Sequence, residues 1–537
     1  MQRYNRNAAY PYLITICILI ALHRAVIFLF IRGYFHQQIL DNFNWFTWQY
    51  LPADVLQHDL LRSLIYLQQT PPFASLLMGL GLKLLDWPNV TYFLLILQVI
   101  LTVLSALLML VILSRFTQRH LLAFIWVCIF VFGSDLLVME YDGLAQNFYE
   151  NLSMCILLLC VLTVLCWLEN HRLLHAFLVG LLVGLLALTR ATYSYLFLVP
   201  LLGLLLYKPQ KLKNHLACYI VGVLLLQGGW TIKNYVVYDY LSPATSSWQG
   251  LNLTVALKRA GLETKLVEVI HDNPKHYPDW FSRLIKEHGC IDWGSNSILY
   301  PYLPESIMLR DAAIDSNWQH NPESNRLAIR ALSQVYTIAY LDFLYSHPHE
   351  VFKKFLVGYA QMWLPLHSYS NIALAFFHTD APLALITMAG PAPSWKTIHD
   401  YMVAYMSTEK IALHIRQGNV RHFDSSIPAG HLTLGVISGF GSFINLIFFN
   451  FITPVTLLFC LLSRKITRSS ILGIGLIVVY VCISYLAFVS SWVELGENTR
   501  FRLSVEPLIW ISTFATIALI FESFSRKTLS SKPVAAT

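Results

Sequence analysis

The chain has 537 residues, of which 56% are hydrophobic and only 12% are charged, and its mean hydropathy is +0.55. Soluble globular proteins carry about 25% charged residues, so this composition excludes that class and predicts a polytopic membrane protein. The net charge of +7 does not indicate a nucleic-acid partner, because the basic residues stand in short clusters between apolar runs, as cytoplasmic anchors do.

Ten apolar runs predict membrane-crossing helices, since a crossing takes roughly 20 mainly apolar residues. They are residues 9–32, 90–114, 121–138, 149–168, 173–188, 191–207, 215–236, 432–460, 471–490 and 503–522. The shorter segment 71–85 begins with Pro71 and Pro72, which suit the first turn of a helix, so we expect it to lie in or dip into the outer interface. The fold class is therefore all-α, with about ten transmembrane helices.

Lysine and arginine in the short connections predict the orientation, because such residues favour the cytoplasmic side. They cluster on the side of the N terminus, at residues 3–6, 115–119, 172, 208–213, 464–468 and 526–532. The predicted domains are a transmembrane module (1–236) with a first outer loop (33–70), a mixed but largely helical extracytoplasmic loop domain (237–431), C-terminal transmembrane helices (432–522) and a cytoplasmic tail (523–537). Sparse glycosylation sites and missing retention signals favour a bacterial inner membrane, with the outer face in the periplasm.

Acidic residues gather in the first two outer connections. Asp41, Asp54 and Asp59 lie among aromatic residues of the first loop, where partial desolvation would raise a carboxylate's basicity and suit it to general-base catalysis. The second connection, "FGSDLLVMEYDGLAQNFYENLS", carries Glu140, Asp142 and Glu150. These acids could supply a second catalytic acid, bind an acceptor amine or hold a divalent cation. Ordinary solvation at headgroup level is the alternative, and no motif requires a cofactor.

Four cations stand at outer helix ends, the side that the charge rule disfavours: Arg190, Lys233, Arg500 and Arg502. The planar fork of arginine matches phosphate oxygens in a bidentate way, so these residues predict a site for a lipid-borne phosphate. The alternative is that they simply extend to the headgroups. Further along, "HPHEVFKKFLVGYAQMWLPL" predicts an amphipathic interfacial helix. In that helix we expect Lys353 and Lys354 to face headgroups, and acyl chains to be met by Phe352, Phe355, Met362 and Trp363.

Four sequence elements occur in order on the same predicted side. Asp41 precedes "TPPF" by about thirty residues, and the acidic turn "EYDGLAQNFYEN" follows; then come "WTIKNY" leading into "SSWQGLNL", and "TRFRLSVEP" before the last span. Together they resemble the GT-C glycosyltransferases, in particular relatives of the protein O-mannosyltransferases and of the bacterial transferase that places aminoarabinose on lipid A. One departure is Thr70, because relatives often have His or Lys before the two prolines.

The resemblance implies an inverting transferase that moves a sugar from a polyprenyl-phosphate donor to a glycolipid, glycan or protein acceptor on the non-cytoplasmic face. It implies that Asp41 is the catalytic base, with Asp54 in reserve, and that the acidic turn binds acceptor or metal while the outer cations hold the donor phosphate. A transporter or flippase of an anionic lipid or sugar is one alternative, and would account for Arg24 inside the first span. A polysaccharide ligase or polymerase is another, and would rely on Arg421 and His422.

Overall fold

The computed structural model is helical wherever it describes the chain, and no strand occurs among those residues. The described residues are 10–25, 51–86, 89–117, 119–133, 144–207, 209–242, 246–291, 296–318, 321–322, 325–363, 444–462, 471–493 and 498–530. The predicted all-α class is therefore confirmed for this part of the chain.

The N-terminal helices form a bundle around a large apolar core. They are α1 (Tyr10–Ala25), α2 (Ala53–His58), α3 (Leu60–Tyr66), α4 (Pro72–Leu84), α5 (Val90–Thr117), α6 (His120–Gly133), α7 (Leu144–Asn170), α8 (Leu173–Thr189), α9 (Leu198–Tyr207), α10 (Leu212–Val223) and α11 (Gly229–Tyr238). A π-helical turn, Leu224–Gly228, joins α10 to α11. The C-terminal helices complete the bundle. They are α19 (Thr453–Leu462), α20 (Ile471–Val493), α21 (Asn498–Leu503) and α22 (Glu506–Ser530).

Four stretches of helix are long and apolar enough to cross a membrane: Val90–Phe116, Tyr149–Asn170, Leu212–Tyr238 and Gly473–Val493. They coincide with four of the ten predicted spans. Each of the other six predicted spans overlaps a described apolar stretch of 10–17 residues, as does the Pro-Pro segment; the spans 9–32, 121–138 and 432–460 also extend into residues outside the described ranges. Pro71 caps α4 and Pro72 opens it, as expected, because proline needs no amide partner in the first turn of a helix.

Close contact between α8 and α10 depends on glycine. A Cβ added to Gly222 would lie 2.3 Å from the carbonyl oxygen of Phe177, and one added to Gly180 would lie 2.1 Å from that of Tyr219. Neither backbone could admit even a methyl group without moving. Small residues are a common means of bringing apolar helices together where lipid removes the hydrophobic drive between them.

The described part of the loop domain has a second apolar core of its own. Its helices are α12 (Gln249–Arg259), α13 (Glu263–Asp272), α14 (Asp279–His288), α15 (Asn296–Leu299), α16 (Glu305–Asn317), α17 (Leu327–Ser346) and α18 (Pro348–Met362). Trp492 and Val493, at the end of α20, pack against this core. The domain therefore sits on the end of the bundle where α7 begins and α8, α11 and α20 end, which we call the loop end.

Candidate functional site

Two of the charged residues predicted for the site, Arg190 and Glu150, lie together at the loop end. Arg190 follows the last residue of α8, and its guanidinium forms an ion pair with Glu150 in the second turn of α7. The two side chains are 9% and 0% exposed. The Arg190 Cζ lies 3.9 Å from the ring centroid of Phe501 and 5.4 Å from that of Tyr149. We call these four residues the Arg190 cluster; its cation lies between an acid and two aromatic rings.

Arg502 lies next to this cluster in the chain, because it follows Phe501 in α21. Its side chain is fully buried and binds Glu506 through two edges, with Nε–Oε2 and Nη2–Oε1 distances of 2.6 and 3.0 Å. The Arg502 Nη1 donates to the Trp363 carbonyl at 3.3 Å, and Trp510 Nε1 donates to Glu506 at 2.8 Å. In this structure the fork that was predicted to grip a phosphate holds a carboxylate, so Arg502 could bind phosphate only if that pair opened.

The start of α4 reaches the same place. Ala74, two residues after Pro72, packs against Tyr149 of the Arg190 cluster, and α4 also packs on α8. The "TPPF" element and the end of the acidic turn, which are distant in sequence, are therefore neighbours at the loop end.

Lys233 connects the "WTIKNY" element to the chain just before "TPPF". Its Nζ donates to the Leu67 carbonyl at 2.5 Å and lies 3.5 Å from the centroid of the Trp230 ring. The ammonium is thus held against an aromatic face, where a cation is attracted by the ring quadrupole. Leu67 stands three residues before Thr70. Four elements that are distant in sequence, "TPPF", the acidic turn, "WTIKNY" and "TRFRL", therefore lie near residues 67–74 and the adjoining helix ends.

The residues leading into "TPPF" are held by side chains that the sequence did not single out. Asn325 Oδ1 accepts from the backbone amides of Gln68 and Gln69 at 2.7 and 3.0 Å, and its Nδ2 donates to the Tyr66 carbonyl at 2.7 Å. The Asn325 carbonyl accepts from Gln68 Nε2 at 2.7 Å. Asn325 is 1% exposed, so residues 66–69 are fixed by a buried amide of the loop domain.

Ser246 and Ser247 complete this attachment. Ser246 Oγ donates to the Gln69 carbonyl at 2.6 Å, and the Ser247 amide donates to the Gln68 carbonyl at 3.2 Å. In the sequence, the feature that predicts such a contact is the polar pair Gln68-Gln69 at the edge of an apolar helix. Buried polar groups in such a place need partners, although sequence alone does not say which.

A buried acid stabilises the start of α17 beside this attachment. Asp311 is 2% exposed, and its Oδ1 accepts from the Leu327 amide at 2.9 Å. Burial raises the pKa of the Asp311 carboxyl, although the Leu327 amide and Arg326 partly oppose this. Burial and the nearby Asp311 raise the pKa of Tyr300 to about 12. Asp311 and Tyr300 are thus part of the structure that supports the site.

The remaining predicted residues are placed only in part. Asp54 lies in the first turn of α2 and is exposed, and no hydrogen bond in the described part of the chain joins its carboxylate to the Arg190 cluster. Asp41, Glu140 and Asp142 lie outside the described residues, as do Arg421 and His422; of Arg500, only the backbone is described. Within the described ranges, no three His, Cys, Asp or Glu side chains are grouped to hold a metal ion.

The fold and the site define a helical protein with membrane-capable helices and a charged, aromatic-lined cluster at one end of its bundle. Comparisons with protein-family models, with curated proteins and with solved structures give no match for this chain.

Proposed function

We propose that the chain is an integral membrane glycosyltransferase of the GT-C type, which moves a sugar from a polyprenyl-phosphate donor to an acceptor outside the cytoplasm. The observation that carries this proposal is the convergence of four elements at the loop end: "TPPF", the acidic turn, "WTIKNY" and "TRFRL". Their order in the chain motivated the resemblance. Their spatial proximity, through Ala74–Tyr149, Arg190–Glu150, Arg190–Phe501 and Lys233–Leu67, was not imposed by that order.

In this proposal the shorter apolar helices complete about ten crossings, and the loop end faces the periplasm of a bacterial inner membrane. The described apolar stretches of 10–17 residues are shorter than a lone crossing of about 20 residues, but α22 runs over 25 residues, and the predicted spans 9–32, 121–138 and 432–460 extend into residues outside the described ranges. A short helix is accommodated by local thinning of the bilayer or by neighbouring helices, and the helices of this bundle are packed against one another. The Arg190 cluster would then lie near the depth of lipid phosphates.

The proposed reaction exchanges one bond at the anomeric carbon of the sugar. An acceptor hydroxyl or amine attacks that carbon from the face opposite the phosphate, Asp41 accepts the acceptor's proton, and the carbon–oxygen bond to the phosphate breaks. The lipid phosphate leaves with the bonding electron pair, so the sugar configuration inverts. Negative charge grows on the leaving oxygen, and preorganised cations at that point lower the barrier.

The outer cations fall into two groups in this mechanism. We assign Arg190, Lys233 and Arg500 to the donor phosphate. Arg190 is buried and paired with Glu150, so, like Arg502, it binds phosphate in this proposal only if its ion pair opens or shares the guanidinium. Glu150 holds Arg190 in place and could orient the acceptor. Arg502 remains a phosphate ligand in the proposal only if it can exchange Glu506 for phosphate; otherwise it orients α21, which carries Arg500 and Phe501.

The test is a deletion strain, complemented with the parent gene or with Asp41→Asn, and analysed by mass spectrometry of its glycans and lipids. We expect one sugar to be missing from the deletion strain and from the Asp41→Asn strain, because losing a general base typically lowers the rate by about 100-fold or more. Asp59→Asn, the same change in the same loop, is the matched control and should restore the sugar. Unchanged glycans and lipids in the deletion strain would refute glycosyl transfer, and normal product with Asp41→Asn would refute the base.

A further inference from the structure

The last described helix of the loop domain, α18, crosses the end of α20. The ring of Phe355 lies 5.4 Å from Phe488 and 6.2 Å from Trp492, measured between centroids, and these two rings stack on each other at 5.6 Å. Phe488 and Trp492 occupy the last two turns of Gly473–Val493, one of the four membrane-capable stretches. The contact therefore falls where that helix would leave the hydrocarbon.

The faces of α18 differ from the sequence prediction. Lys354, Met362 and Trp363 are 3%, 0% and 4% exposed, and Lys354 donates to the carbonyl of Trp492. The lysine thus faces the end of α20, where a carbonyl of the last turn, which has no partner within the helix, accepts a hydrogen bond from it. Among the described apolar side chains of α18, Phe352 is exposed as predicted, at 57%, and Leu356, one turn further on, is 49% exposed; Phe488 of α20 is 53% exposed.

We propose that Phe352, Leu356 and Phe488, the α18 apolar face, insert into the interfacial layer of a lipid bilayer and hold the loop domain down on the membrane. The face is continuous with the surface of a membrane-capable helix, because Phe352 stacks on Phe355 at 6.3 Å and Phe355 contacts Phe488. Aromatic side chains at a membrane boundary are typical interfacial anchors, and an amphipathic helix buries its apolar face by about 5–10 Å into the headgroup boundary.

Lipid fits this face because Phe488 belongs to the candidate span itself. An exposed ring at the end of a crossing helix meets headgroups and upper acyl chains whenever the span is in place, and Phe352 and Leu356 extend the same surface onto the loop domain. The inference needs the chain to cross a membrane, but it does not need glycosyl transfer. It could therefore hold even if the proposed function fails.

The test uses Phe352→Cys and Leu356→Cys in the full chain, each labelled with an environment-sensitive fluorophore and reconstituted into phosphatidylethanolamine–phosphatidylglycerol vesicles. Lipids carrying a spin label near the headgroup or deep in the acyl chain then quench the fluorescence. Lys286→Cys, on the exposed polar face of α14, is the matched control, and labelled parent protein gives the background of native thiols. Because Phe352 and Leu356 are about half exposed, their replacement removes no core side chain.

We expect the shallow quencher to act several-fold more strongly at residues 352 and 356 than at residue 286, and more strongly than the deep quencher. Quenching at residues 352 and 356 no greater than at residue 286 would overturn the proposal and place this face in water or against protein. Stronger quenching by the deep label would also overturn it, since α18 would then lie inside the hydrocarbon.

Discussion

At the scale of single residues, Asn325 has a structural role that the amino-acid composition does not indicate. A side-chain amide offers two donor hydrogens and an acceptor oxygen with two lone pairs. Asn325 uses all of them, because Nδ2 also donates to Asn321 Oδ1 at 3.0 Å in addition to its bonds with residues 66–69. One buried side chain therefore attaches the loop domain to the chain that enters α4.

Replacing Asn325 with alanine should destabilise the protein by about 2 kcal/mol or more, because two buried amides lose their acceptor and each costs about 1–3 kcal/mol. The measurement is the thermal unfolding midpoint in detergent. Asn317→Ala is the matched control: Asn317 is exposed and donates only to the Ala313 carbonyl within its own helix, so its effect should stay within about 0.5 kcal/mol. Equal effects of the two substitutions would contradict the assigned role of Asn325.

Single and double substitutions of the Arg502–Glu506 pair should affect the stability of the protein differently. Glu506→Gln should destabilise the protein by about 3–5 kcal/mol, because it leaves a buried guanidinium uncompensated. Changing both residues to methionine should recover most of that loss, since a buried ion pair can often be replaced by apolar side chains. Both effects are read from unfolding midpoints.

The control for that series is Glu169→Gln, which breaks the partly exposed Arg115–Glu169 pair and should cost about 1 kcal/mol or less. The double variant also separates two roles of Arg502. A stable double variant that has lost transfer activity supports a role in phosphate binding, whereas one that keeps its activity limits Arg502 to positioning α21.

At the scale of elements, the separation of α8 and α10 sets the position of Arg190 and Lys233, because one follows α8 and the other lies in the continuation of α10. Gly222→Ala should cost about 1–3 kcal/mol, since its Cβ would meet the Phe177 backbone and force the helices apart. Gly229→Ala, seven residues on, has open space around its Cβ, and should be neutral or stabilising by up to about 1 kcal/mol. A destabilised Gly229→Ala together with an unaffected Gly222→Ala would show that this packing is misassigned.

At the scale of the whole molecule, apolar composition predicted the helices well and their contacts poorly. The runs at 90–114, 149–168, 215–236 and 471–490 coincide with long apolar helices, as expected of segments able to cross a bilayer, where a helix satisfies its own backbone groups. Glu150 and Arg190 could each be chosen as outer charges, but their pairing depends on how α7 and α8 pack. Lys354 was misjudged for the same reason: the carbonyl that binds it, from Trp492, belongs to a distant helix. Such long-range contacts are set by tertiary packing, which a local pattern does not contain.

The most direct test of the central claim is transfer by the purified full chain in lipid nanodiscs. The protein is given a panel of radiolabelled polyprenyl-phosphate sugars and a membrane extract from the deletion strain as the acceptor source, and free polyprenyl phosphate and labelled product are measured. We expect one donor to be consumed with equal release of polyprenyl phosphate and labelled product, and we expect Asp41→Asn and Arg190→Gln, but not Asp59→Asn, to abolish this. No release of polyprenyl phosphate from any donor would contradict glycosyl transfer, and donor that crosses the bilayer of sealed vesicles unchanged when the same protein is present would favour a transporter.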